Sequence, residues 1–160
     1  MKSTDLAQII THYVNQKGDQ VSHKKLQKLV YYVEAWSLVY LNKSLVSEQF
    51  EAWIHGPVIK ELYQELKGCG YNDLVLVNEL EDTIDLEIAT IIKENKISET
   101  DLELIYAVLD KYAGLSAFQL EMISHSEKPW LDARGNIAPL ENCNTIIDKE
   151  NMRNFYASLV

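Results

Sequence analysis

Apolar residues recur along this chain at steps of three and four over most of its length, and only briefly at steps of two. Leu6, Ile9, Ile10, Tyr13 and Val14 predict a first helix from Asp5 to about Gln16, with Ser3, Thr4 or Asp5 as cap and Gly18 as stop. The strongest helical pattern runs from His23 to Leu41 behind Ser22 as N-cap, with Leu26, Leu29, Val30, Val33, Trp36 and Tyr40 on one face. Leu38, Val39 and Leu41 lie off that stripe, which predicts a helix buried on much of its circumference and central to a small bundle.

After a turn at Asn42-Lys43-Ser44, the residues Phe50 to Ile54 alternate loosely and predict a short extended segment. Gly56-Pro57 is expected to end it, with Pro57 in the first turn of a helix reaching Lys67 and Val58, Leu62 and Leu66 inward. Gly68-Cys69-Gly70 reads as a stop, and Leu74 to Val77 as a brief strand. A helix from Ile84 to about Lys96 follows, then one from the cap-like Ser98 to Ala113-Gly114 with Leu102, Ile105, Leu109 and Tyr112 inward. Ser116 caps a helix through Ile123, Pro129-Trp130 opens a short helical turn closed by Arg134-Gly135, and Asn136 to Asn144 is irregular. Asp148 caps a last helix through Leu159, its apolar face made of Met152, Phe155, Tyr156 and Leu159. The predicted fold is mainly α: an irregular helical bundle with at most a small two- or three-stranded β element near residues 49–54 and 74–77, in one domain spanning residues 1–160.

Composition narrows the function. Acidic residues outnumber basic ones by 24 to 15, a net charge of −9 that disfavours a general affinity for nucleic acid or anionic lipid. Cys69 and Cys143 form no metal or redox pair and are expected to be free thiols. No signal-peptide pattern and no long apolar run is present, so the expected location is the cytoplasm, with no membrane partner.

The chain offers little that resembles catalytic or metal-binding chemistry. Ser124, His125 and Glu127 are neighbours in sequence, but adjacent helix positions point apart and do not make a triad. His12, His23, His55 and His125 are scattered, without metal-ligand spacing, and no cofactor is expected. His23, Lys24, Lys25 and Lys28 place cations where the helix dipole disfavours them. The plain reading is a solvated face; the sharper one is contact with an anionic group. The acidic run Glu79 to Glu87 is a solvated loop by default, or a surface for a basic partner. The aromatics Tyr31, Tyr32, Trp36, Tyr40, Trp53, Tyr63 and Trp130 fall mostly at core-facing positions, though an exposed one would suit an interface.

The stretch Lys25 to Trp36 (KLQKLVYYVEAW) resembles the opening signature of the Panacea domain of SocA-like antitoxins. Phe50 to Val58 (FEAWIHGPV) with Glu61-Leu62-Tyr63, Leu115 to Leu120, and His125 to Trp130 (HSEKPW) resemble its later blocks in the same order. Val30 stands where Leu is commoner, and Ile54-His55 where a Lys/Arg-Tyr type pair is frequent. The resemblance implies a mostly helical, non-enzymatic domain of bacteria, phages and mobile elements. Its expected partner is a cognate toxin, neutralised by direct binding. Alternatives are an adaptor that delivers a toxin to an AAA+ protease, a phage or prophage accessory protein that binds a host factor, and, least favoured, an enzyme. No DNA binding by this chain alone is expected. Candidate partner-binding residues are Lys24, Lys28, Tyr32, Trp53 and His55. The motif residues Leu26, Lys28, Leu29, Tyr31, Trp36, Trp53, Gly56, Pro57, Tyr63, His125, Pro129 and Trp130 are expected mainly to build the core and its turns.

Overall fold

The structure, a computed structural model, describes residues 1–69, 73–74 and 81–160. The fold is mainly α, with eight helices and little sheet among the described residues. Helix α1 (Ser3–Gln16) leads through β1 (Val21–Ser22) into α2 (His23–Tyr40). Strands β2 (Phe50–Trp53) and β3 (Gly56–Val58) precede α3 (Lys60–Leu66), a 3-10 turn (Lys67–Cys69) and β4 (Asp73–Leu74). Helices α4 (Glu81–Glu94), α5 (Glu99–Tyr112), α6 (Ala117–Ser126) and α7 (Lys128–Arg134) follow, then β5 (Ile146–Ile147) and α8 (Lys149–Ala157).

Helix α2 is the axis, packed against α1, α5, α6 and α8. Every residue from Lys25 to Leu38 is buried, so this helix needs internal partners for its polar residues. Glu34 shows how: its carboxylate accepts from Leu45 N at 2.8 Å and Val46 N at 3.1 Å, and Lys149 Nζ stands 2.9 Å away. Around α2, Tyr31 packs edge-on against Phe50, Tyr32 stacks on Tyr112 at 4.2 Å, and Trp36 Nε1 donates to the Tyr112 hydroxyl at 3.1 Å. Ser22 caps α2 by accepting from Lys25 N, and Ser98 with Asp101 forms a reciprocal capping box on α5.

The sheet has order β3-β2-β5, antiparallel throughout, and β1 pairs with β4. Five details differ from the sequence reading. Pro57 is not helical: it lies in β3, opposite Ala52, and α3 starts at Lys60. An edge strand tolerates a residue without an N–H. Ser3 does not cap α1; its hydroxyl donates to Glu48 at 2.8 Å instead. Tyr40 and Leu159, placed inward from spacing, are 60% and 57% exposed, because Tyr40 is the last residue of α2 and Leu159 lies past the end of α8 at Ala157. Strand β5, in a stretch without a clear pattern, pairs with β2. The predicted strand at 74–77 is described only at Leu74, within β4; residues 75–77, Gly70 and part of the acidic run lie outside the described residues.

Candidate functional site

The N-terminal half of α2 meets the β2–β3 hairpin and α3 at one place, and side-chain size and backbone conformation dictate how. Gln27 forms a two-way amide clamp: its Oε1 accepts from Ile59 N at 3.0 Å and its Nε2 donates to Ile59 O at 3.3 Å. That clamp fixes the corner from which α3 departs and supplies the partner that the chain there would otherwise lack. One residue on, Lys28 is 3% exposed and its ammonium donates to Pro57 O at 3.1 Å. To get there it passes over Gly56, whose φ is +98°. A Cβ at Gly56 would stand 2.6 Å from Lys28 Cε and 2.9 Å from Ser124 Oγ, so only glycine fits.

The basic cluster is therefore not a solvated face. His23, Lys25 and Lys28 are all buried, while Lys24 is exposed. Lys25 Nζ is 3.5 Å from Asp19 Oδ2. Burial pushes the Lys28 amine down to about 7, with Glu121 opposing and Lys24 adding to the fall. Burial, then the neighbouring Lys28, holds the His23 imidazole below its usual range.

His23, Lys24 and Lys28, but not Lys25, wall a cavity of about 360 Å³. Lys24, Lys28 and Lys67 line it with His23 and His55; Trp53, Ile54, Val58 and Tyr63 give it an apolar side. Trp53 is half-buried, with its ring 4.9 Å from that of Tyr63 and its Nε1 donating to Glu51 at 2.6 Å. His55, exposed on the hairpin turn, is 3.0 Å from Glu121 Oε1 of α6.

The second motif region braces the same hairpin from α7. Trp130 Nε1 donates to Trp53 O at 2.9 Å, and the His125 ring stacks on Trp130 at 4.1 Å. Pro129 and Trp130 are buried at the start of α7. Ser124 Oγ donates to Glu121 O, and Glu127 turns to the core, where Tyr32 and Tyr156 both donate to its Oε2. Burial lifts the Glu127 carboxyl to about 7, against the pull of those two hydroxyls. Ser124, His125 and Glu127 thus have separate partners.

The structure brings Lys24, Lys28, Trp53, His55 and Tyr63 together around one cavity, with Gly56 and Pro57 beneath. Leu26, Leu29, Tyr31, Trp36 and Trp130 belong to the core. Tyr32 and Lys28, expected among partner-contacting residues, are 0% and 3% exposed, so neither stands on the outer surface of the free protein. For Tyr32 the reason is its stacking on Tyr112 and its bond to Glu127. Sequence reading missed Gln27, Glu34, Glu127 and Arg134. Arg134 is buried and donates to the carbonyls of Ala52, Ala138 and Glu141, holding the irregular segment against β2. For Gln27 and Glu34 a signal existed: polar residues in a helix that is apolar on both sides must be buried and partnered.

Among the described residues no cluster of three or more potential metal ligands occurs, and no helix is long and apolar enough to cross a membrane. Cys143 is a buried free thiol. The family model described as antitoxin SocA-like, Panacea domain, matches residues 26–131. No curated protein and no solved structure matches significantly. The matched span covers most of the hairpin, the cavity wall and α7, and the chain belongs to this SocA-like antitoxin family.

Proposed function

On the premise of that membership, we propose that the protein is an antitoxin that neutralises a cognate toxin by direct binding, without making or breaking a bond itself. The observation that carries the reading is the match over residues 26–131, which takes in most of the buried helix α2 together with the hairpin, α5 and α6. Two features agree with it. The side chains of Gln27, Trp36 and Trp130, within the matched span, and of Arg134, just beyond it, are engaged in holding elements together, which suits a rigid scaffold. The outer side of α6 carries Phe118 and Met122 one turn apart, 69% and 52% exposed, and apolar anchors of this kind suit a protein interface.

The test is co-expression with the gene next to this one. Growth arrest by the neighbour alone, rescue by this chain, and recovery of both in one complex with the neighbour's steady-state level unchanged are expected. A harmless neighbour removes the basis of the proposal. Rescue with rapid loss of the neighbour and no lasting complex points to delivery to a protease instead.

A further inference from the structure

The chain carries 24 acidic residues to 15 basic, yet the eleven residues lining the cavity beside α2 include three lysines, two histidines and not one carboxylate. At the chain's average composition about one or two of eleven residues would be acidic, and here the carboxylates of Glu121 and Glu51 bond to His55 and Trp53 from outside the lining. At the inner end stands Lys28, whose ammonium has Pro57 O as its hydrogen-bond partner and, among the described residues, no carboxylate within ion-pair distance. Beside it His23 is 8% exposed, and its buried Nε2 has no partner among the described residues. A buried amine and a buried ring nitrogen left this way cost stability unless something enters to meet them. Gly56 adds an independent observation: its backbone adopts a φ of +98°, and its missing side chain gives Lys28 the passage it occupies.

We propose that this cavity is a binding site for an organic oxyanion, a carboxylate or phosphate on a small apolar body, with Lys28 and His23 receiving the charged end and Trp53 and Tyr63 flanking the body. The volume, about 360 Å³, exceeds what a bare anion needs and lies at the small end of ligand pockets. The Trp53–Tyr63 ring pair, with Ile54 and Val58, supplies the apolar contact. Lys24 and Lys67, both exposed, stand at the mouth and favour entry of negative charge that the rest of this acidic surface repels. The site does not depend on the antitoxin reading, because its chemistry lies in the cavity alone.

The experiment is a titration of the full chain with benzoate, phenyl phosphate and the neutral analogue benzamide, followed by the Trp53 indole NMR signal and by calorimetry. One or both anions are expected to bind and shift that signal, with benzamide weaker by about tenfold or more. Preference between the two anions assigns carboxylate or phosphate. N-acetyl-glycyl-phenylalanine distinguishes the source: tighter binding than benzoate points to a polypeptide end, weaker binding to a free small molecule. Lys28→Met is expected to abolish anion binding while the spectrum stays dispersed. Should that variant fail to fold, the surface pair Lys24→Gln and Lys67→Gln is expected to weaken binding by about threefold or more at low salt. Equal binding of benzamide, undiminished binding to a folded Lys28→Met protein or to the Lys24/Lys67 pair variant, or no binding of either anion overturns the proposal.

Discussion

Lys28 reaches the carbonyl of Pro57 only because Gly56 carries no side chain, and the two residues are coupled in stability as well as in geometry. Gly56→Ala forces a positive φ on an L-residue and drives its methyl into Lys28 and Ser124. It is expected to lower unfolding free energy by about 1–3 kcal/mol or more, read by denaturant titration. The depressed amine of Lys28 favours the folded protein above its unfolded value of 10.5 and loses that favour as pH falls toward about 7. Wild-type stability relative to Lys28→Met is therefore expected to rise from pH 7 to pH 9, and the variant to be the more stable by about 1–2 kcal/mol at pH 7. Glu127 acts in the opposite sense. Its carboxyl is raised from 4.5 to about 7, so its contribution is full below 4.5 and is lost as pH rises through 7. Wild type is expected to lose roughly 3 kcal/mol relative to Glu127→Gln between pH 4.5 and pH 8, checked by paired urea titrations. A flat difference across that range would mean that the Glu127 carboxyl is not desolvated in the core.

Among the elements, α2 was legible because its apolar positions repeat on two faces, which predicts burial on much of its circumference; the burial of Lys25 and Lys28 was not, and for Lys28 it depends on the hairpin packed over it. The caps at Ser22, Ser98, Ser116 and Asp148 were legible because each hydroxyl or carboxylate stands beside unpaired helix N–H groups. Strand β3 was not, because Gly-Pro before an apolar run reads equally as a helix start; what decides is Gln27, 32 positions away, which holds Ile59. Strand β5 was missed for the same kind of reason, since its pairing with β2 rests on contacts distant in sequence. Helix α8 lies outside residues 26–131 but is tied to α2 by the Lys149–Glu34 ion pair and by Tyr156. Glu34→Gln weakens the tie to Lys149 and to the amides of Leu45 and Val46. Amide exchange in Lys149–Ala157 is expected to speed up more than in α5, with a stability loss of about 3 kcal/mol. Equal protection in both helices would show that α8 is held by packing alone.

For the whole molecule, the sequence blocks and the fold agree on what binds the chain together, and differ on where its charge lies. The net charge of −9 describes the outer surface, while the cavity beside α2 is basic, a contrast no composition reveals. The spacing of Lys24 and Lys28 hinted at it, but only the hairpin that carries Gly56 and His55 turns a helix end into a walled cavity. On the proposed antitoxin function, α6 with Phe118 and Met122 exposed is the candidate surface for a protein partner. The central claim is that neutralisation is binding and not turnover. It is tested most directly by titrating a fixed amount of activity of the candidate toxin with increasing amounts of this purified protein. Residual activity is expected to fall linearly and reach its floor at a fixed whole-number ratio of the two chains. Loss of activity at ratios far below one, progressing with time, would contradict it.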